Sequence, residues 1–190
     1  MLELAVLGLL HESPLHCYEL RQRLKATLGT FRAFSYGSLY PSLRRMRDVG
    51  WIAEDDGNAE VVAGAPALTG RRGKIVYKLT SEGKERFAEM LTEAGPSAWE
   101  DETFGVHFAF FSRTDPEVRV RILEGRRSRL EERREGVRSS LRSTRSRLDS
   151  YTLQLQEHGL ESVEREVRWL TELIETERRD IPPSAPPHPR

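Results

Sequence analysis

The sequence predicts a mainly α-helical chain carrying one small β-hairpin, and three observations predict it. Apolar residues recur at helical spacing in three short stretches of the first fifty residues. The period then switches to strand alternation near residues 51–54 and 74–79, and heptad-spaced apolar rows follow residue 114. With 190 residues, 32% charged and 37% hydrophobic, the chain has room for a modest core or two small ones, and its helices need long solvated faces. Formal net charge is zero, so any argument for a polyanionic partner has to be local. Residues 1–50 carry seven Lys or Arg against four acids, a local +3. Cys17 is the lone cysteine, which rules out an intramolecular disulfide or a cysteine zinc cluster and fits a reducing cytoplasm.

The first helix is read from Leu2, Val6, Leu9 and Leu10, and Ser13-Pro14 stops it. The opening MLELAVLGLLHESP has no basic leader, no small-residue cleavage site and too few apolar residues to cross a bilayer, so a core helix is expected. A second helix is expected from about His16 to Leu28, with Tyr18, Leu20, Leu24 and Leu28 inward and Gly29 as its stop. The third poses a problem. FSYGSLYPSL puts Pro41 inside a segment whose Leu39, Leu43 and Met46 share one helical face ending at Gly50. An interior proline costs a helix roughly 3 kcal/mol. Starting the helix at Gly37-Ser38 removes the conflict, because Pro41 then falls in or just past the first turn, where little hydrogen bonding is lost.

Trp51-Ile52-Ala53-Glu54 reads as a strand, and Lys74 to Leu79 alternates as a half-buried strand does. Between them DDGNAEVVAGAPALTGRRG makes a hairpin with an extended tip. Thr80 or Ser81 caps a fourth helix through Phe87, Met90 and Leu91, which Gly95-Pro96 breaks. After the aromatic stretch WEDETFGVHFAFFSR, Thr114 with Glu117 matches a capping box, and Pro116 suits the first helical turn. One long helix is expected from there to Gly159. Leu123, Leu130, Val137, Thr144 and Tyr151 lie seven apart, with Leu141, Leu148 and Leu155 in a neighbouring row. A last helix spaces Leu160, Val163, Val167, Leu170 and Ile174 by three and four, and IPPSAPPHPR is expected to be a disordered tail. The expected domains are residues 1–94, 95–179 and the tail 180–190.

Helix, helix, helix, strand, strand is the order of a winged helix-turn-helix, whose third helix enters the DNA major groove while the hairpin reaches the flanking backbone. Many small domains share that order without binding DNA. Four words take the reading further: His16-Cys17-Tyr18-Glu19-Leu20; Gly37-Ser38-Leu39-Tyr40-Pro41-Ser42-Leu43-Arg44-Arg45-Met46; Gly50-Trp51-Ile52; and Tyr77-Lys78-Leu79-Thr80-Ser81-Glu82-Gly83. In this order they resemble the PadR-like family of bacterial transcriptional regulators, over roughly residues 1–94. The later helices are similar to that family's C-terminal dimerisation part. The resemblance implies a homodimeric winged-helix regulator, in most cases a repressor, whose DNA binding a small molecule often relieves. Cys17 departs from it, standing where the family usually has glycine. That bears on how closely this helix start approaches its neighbours, and a small half-buried thiol is the plainer reading than a redox switch.

The DNA-facing candidates are Ser35, Tyr36, Ser38, Tyr40, Arg44 and Arg45 around the third helix, with Arg71, Arg72 and Lys74 in the wing. Hydroxyls and backbone N–H groups at a helix start suit phosphate oxygens, arginine suits phosphate or guanine, and basic residues beside flexible glycine suit backbone or minor-groove contact. Each arginine also has an ordinary reading as a solvated charge, and Tyr40 as packing on the second helix. Trp99, Phe104, His107 and Phe108 are candidate effector-binding residues, with core or dimer packing as the alternative.

Expected dimerisation residues are Leu123, Leu130, Val137, Leu141, Leu148, Val163, Val167, Leu170 and Ile174, since the heptad rows are too long for the last helix alone to cover. Between Val118 and Leu148 there are eleven arginines and four glutamates. Ion pairs with acids of the last helix, such as Glu161, Glu164, Glu166, Glu172 and Glu175, are favoured over an anionic ligand. No catalytic constellation, metal-ligand spacing or cofactor motif is visible. The competing reading is a protein-interaction adaptor that keeps the winged helix as a scaffold.

Overall fold

The structure is a computed structural model that describes residues 1–29, 36–55 and 75–181. They form two compact units, Met1–Glu93 with Asp101–Arg113, and Ala94–Glu100 with Thr114–Arg190.

In the first unit α1 (Leu2–Glu12) is apolar nearly all round, and every residue from Leu4 to Leu10 is buried. Such a helix has to be surrounded, and α1 contacts α2 (Cys17–Leu28), α3 (Leu39–Asp48), α4 (Ser81–Thr92) and α6 (Phe104–Ala109). The two-residue strand β1 (Leu15–His16) follows Pro14; sequence periodicity had no way to flag it, because two residues carry no period. The His16 N–H donates to the Glu19 carboxylate at 3.0 Å and so starts α2. Cys17, Leu20, Leu24 and Leu28 form its buried stripe. Tyr18, expected inward, is one residue off that stripe and 39% exposed, its hydroxyl accepting from Gln22 at 2.7 Å.

A short 3-10 turn, Tyr36–Ser38, leads into α3, which buries Leu39, Leu43 and Met46. Pro41 is the third residue of α3, so its missing N–H is one that no intrahelical carbonyl could have received. Gly50 ends this segment at φ 81°, in the left-handed region that glycine enters without steric cost. Strands β2 (Ile52–Asp55) and β3 (Val76–Leu79) pair antiparallel, Ile52 with Leu79 and Asp55 with Val76. β1 joins the other edge of β3, giving the order β1-β3-β2. Thr80 caps α4 by accepting the Gly83 N–H at 3.0 Å.

Asp101–Arg113 packs with the first unit, which corrects the expected boundary after residue 94. The reason is aromatic. Phe110 lies edge-on to Phe87, centroids 5.8 Å apart, and covers Gly8 of α1.

The second unit holds α5 (Pro96–Trp99), α7 (Pro116–Thr144) and α8 (Ser150–Asp180). Asp115, not Thr114, caps α7, accepting the Glu117 N–H at 2.9 Å; Pro116 is its first residue. The expected single helix through Gly159 is in fact two, α7 and α8, packed as an antiparallel hairpin. The chain breaks at the 3-10 turn Arg145–Arg147 and extended Leu148, and Asp149 starts α8 by accepting from the Tyr151 and Thr152 N–H groups at 2.9 and 3.0 Å. Gly159 sits inside α8 in open space. The heptad row therefore changes helix at the turn. Leu123 and Leu130 are buried, Val137, Leu141 and Leu148 half-buried, and Tyr151 and Leu155 are 82% and 67% exposed. Val163, Val167, Leu170 and Ile174 form the buried face of α8. The tail from residue 182 lies outside the described residues.

Candidate nucleic-acid interface

The outward face of α3 carries Tyr40, Pro41, Arg44, Arg45 and Asp48, joined by Val49 just past the helix. Their side chains line a shallow concavity of about 420 Å³. The spacing explains it, since 40, 44 and 48, and 41, 45 and 49, are neighbours on one helix face. Tyr40 is 60% exposed and Val49 53%, while Leu39, Leu43 and Met46 hold the opposite face in the core. Tyr40 lies close to Cys17 at the start of α2. Burial pushes the Cys17 thiol up from its ordinary value, against smaller opposing effects of Tyr40 and Arg21, so it stays protonated and unreactive at neutral pH.

The three arginines of α3 have different surroundings. Arg45 is ion-paired with Glu3 of α1. Arg47 reaches Glu54 of β2 at 2.7 Å and Asp48 at 3.1 Å. Arg44 is exposed and has no acidic partner among the described residues. Of the three, its fork of donors is the one no acid engages among the described residues, and an unengaged guanidinium is suited to a phosphate or a guanine edge.

Among the sequence-derived candidates, Ser38 is exposed at the N-cap of α3, and Tyr40, Arg44 and Arg45 are exposed further along the helix. Tyr36 contributes backbone to the preceding turn. Ser35, Arg71, Arg72 and Lys74 lie outside the described residues. Pro41, Asp48 and Val49 were missed as lining residues, although four-residue steps from Gly37 (41, 45, 49) and from Tyr40 (44, 48) would have found them.

The aromatic candidates divide between the units. Trp99 belongs to the second, where its ring covers Gly125; a Cβ there would fall 2.4 Å from the indole. Phe104, His107 and Phe108 belong to the first. Phe108 sits 5.7 Å from Phe104 and 4.9 Å from Phe111, ring centroid to centroid. His107 is 2% exposed, and its Nε2 has no hydrogen-bond partner among the described residues. Burial, with help from the nearby Met1 ammonium, lowers its pKa to about 4, so the imidazole is neutral. Among the described residues no group of three or more His, Cys, Asp or Glu is placed to hold a metal ion.

The arginine-rich α7 is matched by α8. Arg126 is held by Glu166 at 2.8 Å, Arg138 by Glu164 at 2.6 Å, Arg119 by Glu177 at 3.1 Å and Arg145 by Glu157 at 3.1 Å, while Glu124 pairs with Arg178. Ion pairing to the last helix was the expected role. Glu164 and Glu166 were named for it, whereas Glu161 pairs with Arg165 of its own helix.

Three helices, a three-stranded antiparallel sheet and an exposed hydroxyl- and arginine-bearing face on the third helix define the winged helix-turn-helix class. Over residues 6–89 the chain matches the sequence model of the Transcriptional regulator PadR-like family. It is 28% identical over 96 residues to the Negative transcriptional regulator PadR of Bacillus subtilis (strain 168), which covers 50% of this chain and 48% of the relative. The chain thus matches about half the length of that curated relative. Among solved structures it is similar to Bacillus subtilis PadR in complex with operator DNA and to the same protein in complex with p-coumaric acid. Each has a TM-score of 0.42 and 20% identity, covering 93% of this chain and 98% of the other. A PadR-like transcriptional regulator from Bacillus cereus gives a TM-score of 0.41 and 21% identity over 94% of this chain and 99% of its own.

Proposed function

We propose that this protein is a sequence-specific, double-stranded-DNA-binding transcriptional regulator that works as a cytoplasmic homodimer, represses its targets, is released by a small-molecule effector, and catalyses nothing. The observation that carries the reading is the outward face of α3. A family of transcriptional regulators matches the segment that contains it, and Ser38, Tyr40 and Arg44 stand exposed there while the leucines anchor the opposite side. Ser35, Tyr36, Arg45, Arg71, Arg72 and Lys74 complete the proposed DNA-binding set.

Pairing of two copies is supported by the far half of the α7–α8 hairpin. It keeps Leu141, Leu148 and Leu153 only half covered and Tyr151 and Leu155 exposed. A second copy laid along these rows buries them, and a two-fold dimer presents two α3 helices to two half-sites about one helical turn apart. Trp99, Phe104, His107 and Phe108 are the residues proposed to respond to the effector.

The test is selection of a duplex by the full-length protein from a random-sequence library, followed by titration at several salt concentrations. A regulator enriches one sequence, and its affinity falls steeply with salt as phosphate contacts release counterions. Enrichment of no sequence, with the protein instead held by another protein through its long helices, would favour the adaptor.

A further inference from the structure

Among the described residues, polar contacts attach the C-terminal end of α3 to the base of the wing at two places, beside the core in which Met46 of α3 and Ile52 of β2 are both buried. The first is backbone. Gly50 donates to the Arg47 carbonyl at 2.9 Å, Trp51 donates to the Met46 carbonyl at 2.8 Å, and the Thr80 hydroxyl donates to the Gly50 and Trp51 carbonyls at 2.6 and 3.0 Å. This connection runs through one left-handed glycine, and glycine tolerates rotation. The second attachment is made by side chains. Arg47 Nη1 donates to Glu54 of β2 at 2.7 Å and Nη2 donates to Asp48 at 3.1 Å, so the guanidinium spans a carboxylate of the helix and one of the strand. Glu54 lies opposite Tyr77 in the sheet, and the next residue, Asp55, accepts from Lys78 at 3.3 Å. The link therefore continues from α3 into both strands of the hairpin.

A winged helix grips DNA with its third helix and its hairpin together, so the angle between them decides whether both reach the duplex. The attachment through Gly50 leaves that angle some freedom, and the side-chain link narrows it.

We propose that Arg47 and Glu54 form a strut that sets the angle between α3 and the wing, Arg47 being a positioning residue rather than a DNA contact. The proposal rests on the DNA-binding reading above. It makes a prediction opposite in sign to simple electrostatics. Removing an acid beside a phosphate-binding helix ought to tighten DNA binding, whereas loss of the strut weakens it.

The experiment uses the full-length protein and the duplex it enriches from a random library. Affinity is measured over a potassium chloride series for wild type, Arg47→Ala, Glu54→Gln, the double variant Arg47→Ala/Glu54→Gln, and the swap Arg47→Glu/Glu54→Arg. The strut predicts that each single variant loses about three- to fivefold in affinity, the most that an exposed ion pair contributes by presetting the angle. The double variant loses no more than either, the swap recovers most of the loss, and the salt dependence keeps its wild-type slope. Thermal melting, followed in parallel, stays close to wild type because exposed ion pairs contribute little to stability. Undiminished or tighter binding by Glu54→Gln overturns the strut, as does a salt slope lowered by about one contact in Arg47→Ala, the mark of a lost phosphate contact. A wild type that enriches no duplex overturns both the strut and the DNA-binding reading; a binding wild type with an unaffected Glu54→Gln overturns the strut alone.

Discussion

Phe110 occupies the space beside Gly8 that any other residue would fill: a Cβ on Gly8 would lie 2.3 Å from the Phe110 ring. Phe110 is 4% exposed and braced by Phe87, so it has nowhere to swing. Gly8→Ala gains about 1 kcal/mol of helix propensity, yet overpacking a tight core costs about 1–3 kcal/mol. The substitution is expected to be destabilising in urea denaturation. Phe110→Leu in the same chain should recover part of the loss, and strict additivity of the two changes would contradict the contact.

Burial separates the ion pairs of α7 and α8. The Arg126 side chain is 8% exposed and also donates to the Trp99 carbonyl at 3.3 Å, whereas Arg145 and Glu157 are 67% and 42% exposed. Glu166→Ala leaves a buried guanidinium without its carboxylate, though still bonded to the Trp99 carbonyl, and should cost about 1–3 kcal/mol. Glu157→Ala should cost less than about 1 kcal/mol, and increasingly little at high salt. Equal losses in chemical denaturation would refute this ranking.

His107 makes stability depend on pH. Its pKa falls from an ordinary 6.5 to about 4 on folding, so between these values the unfolded chain binds more protons than the folded one. Stability from this group is full above pH 6.5 and is lost as pH drops toward 4. His107→Leu should flatten that part of the melting-temperature profile. A variant whose profile drops as steeply as wild type would place the acid sensitivity elsewhere.

Arg44 is expected to matter more for DNA than its neighbour Arg45, which Glu3 already engages. Arg44→Ala should weaken binding to the selected duplex by about 1–3 kcal/mol if it reads a base, with relaxed preference at one position. Arg45→Ala should change affinity less. The comparison is made by titrating matched and singly mismatched duplexes, and the reverse ranking would move the reading residue.

Glu3 and Glu54, which separate these arginines, were not legible as partners in the sequence. They stand 42 and 7 positions from Arg45 and Arg47, and nothing local links them. The same holds for β1, which exists because β3 offers it an edge, and for Phe110, which closes on Gly8 across 102 positions of chain.

What the sequence determined by itself is what short-range physics encodes. The periodicity of Leu20, Leu24 and Leu28, the glycine after α3, the proline admitted to its first turn and the cap at Thr80 specify the elements and the outward face of α3. Tertiary structure decided which arginines are engaged, where the first unit ends, and that the heptad row folds back at Asp149 rather than running on. The row of leucines is blind to that last outcome, because a seven-residue spacing continues unchanged through a turn. The 3-10 turn Arg145–Arg147 and extended Leu148 end α7, and the carboxylate of Asp149, accepting the first N–H groups of α8, begins the next helix.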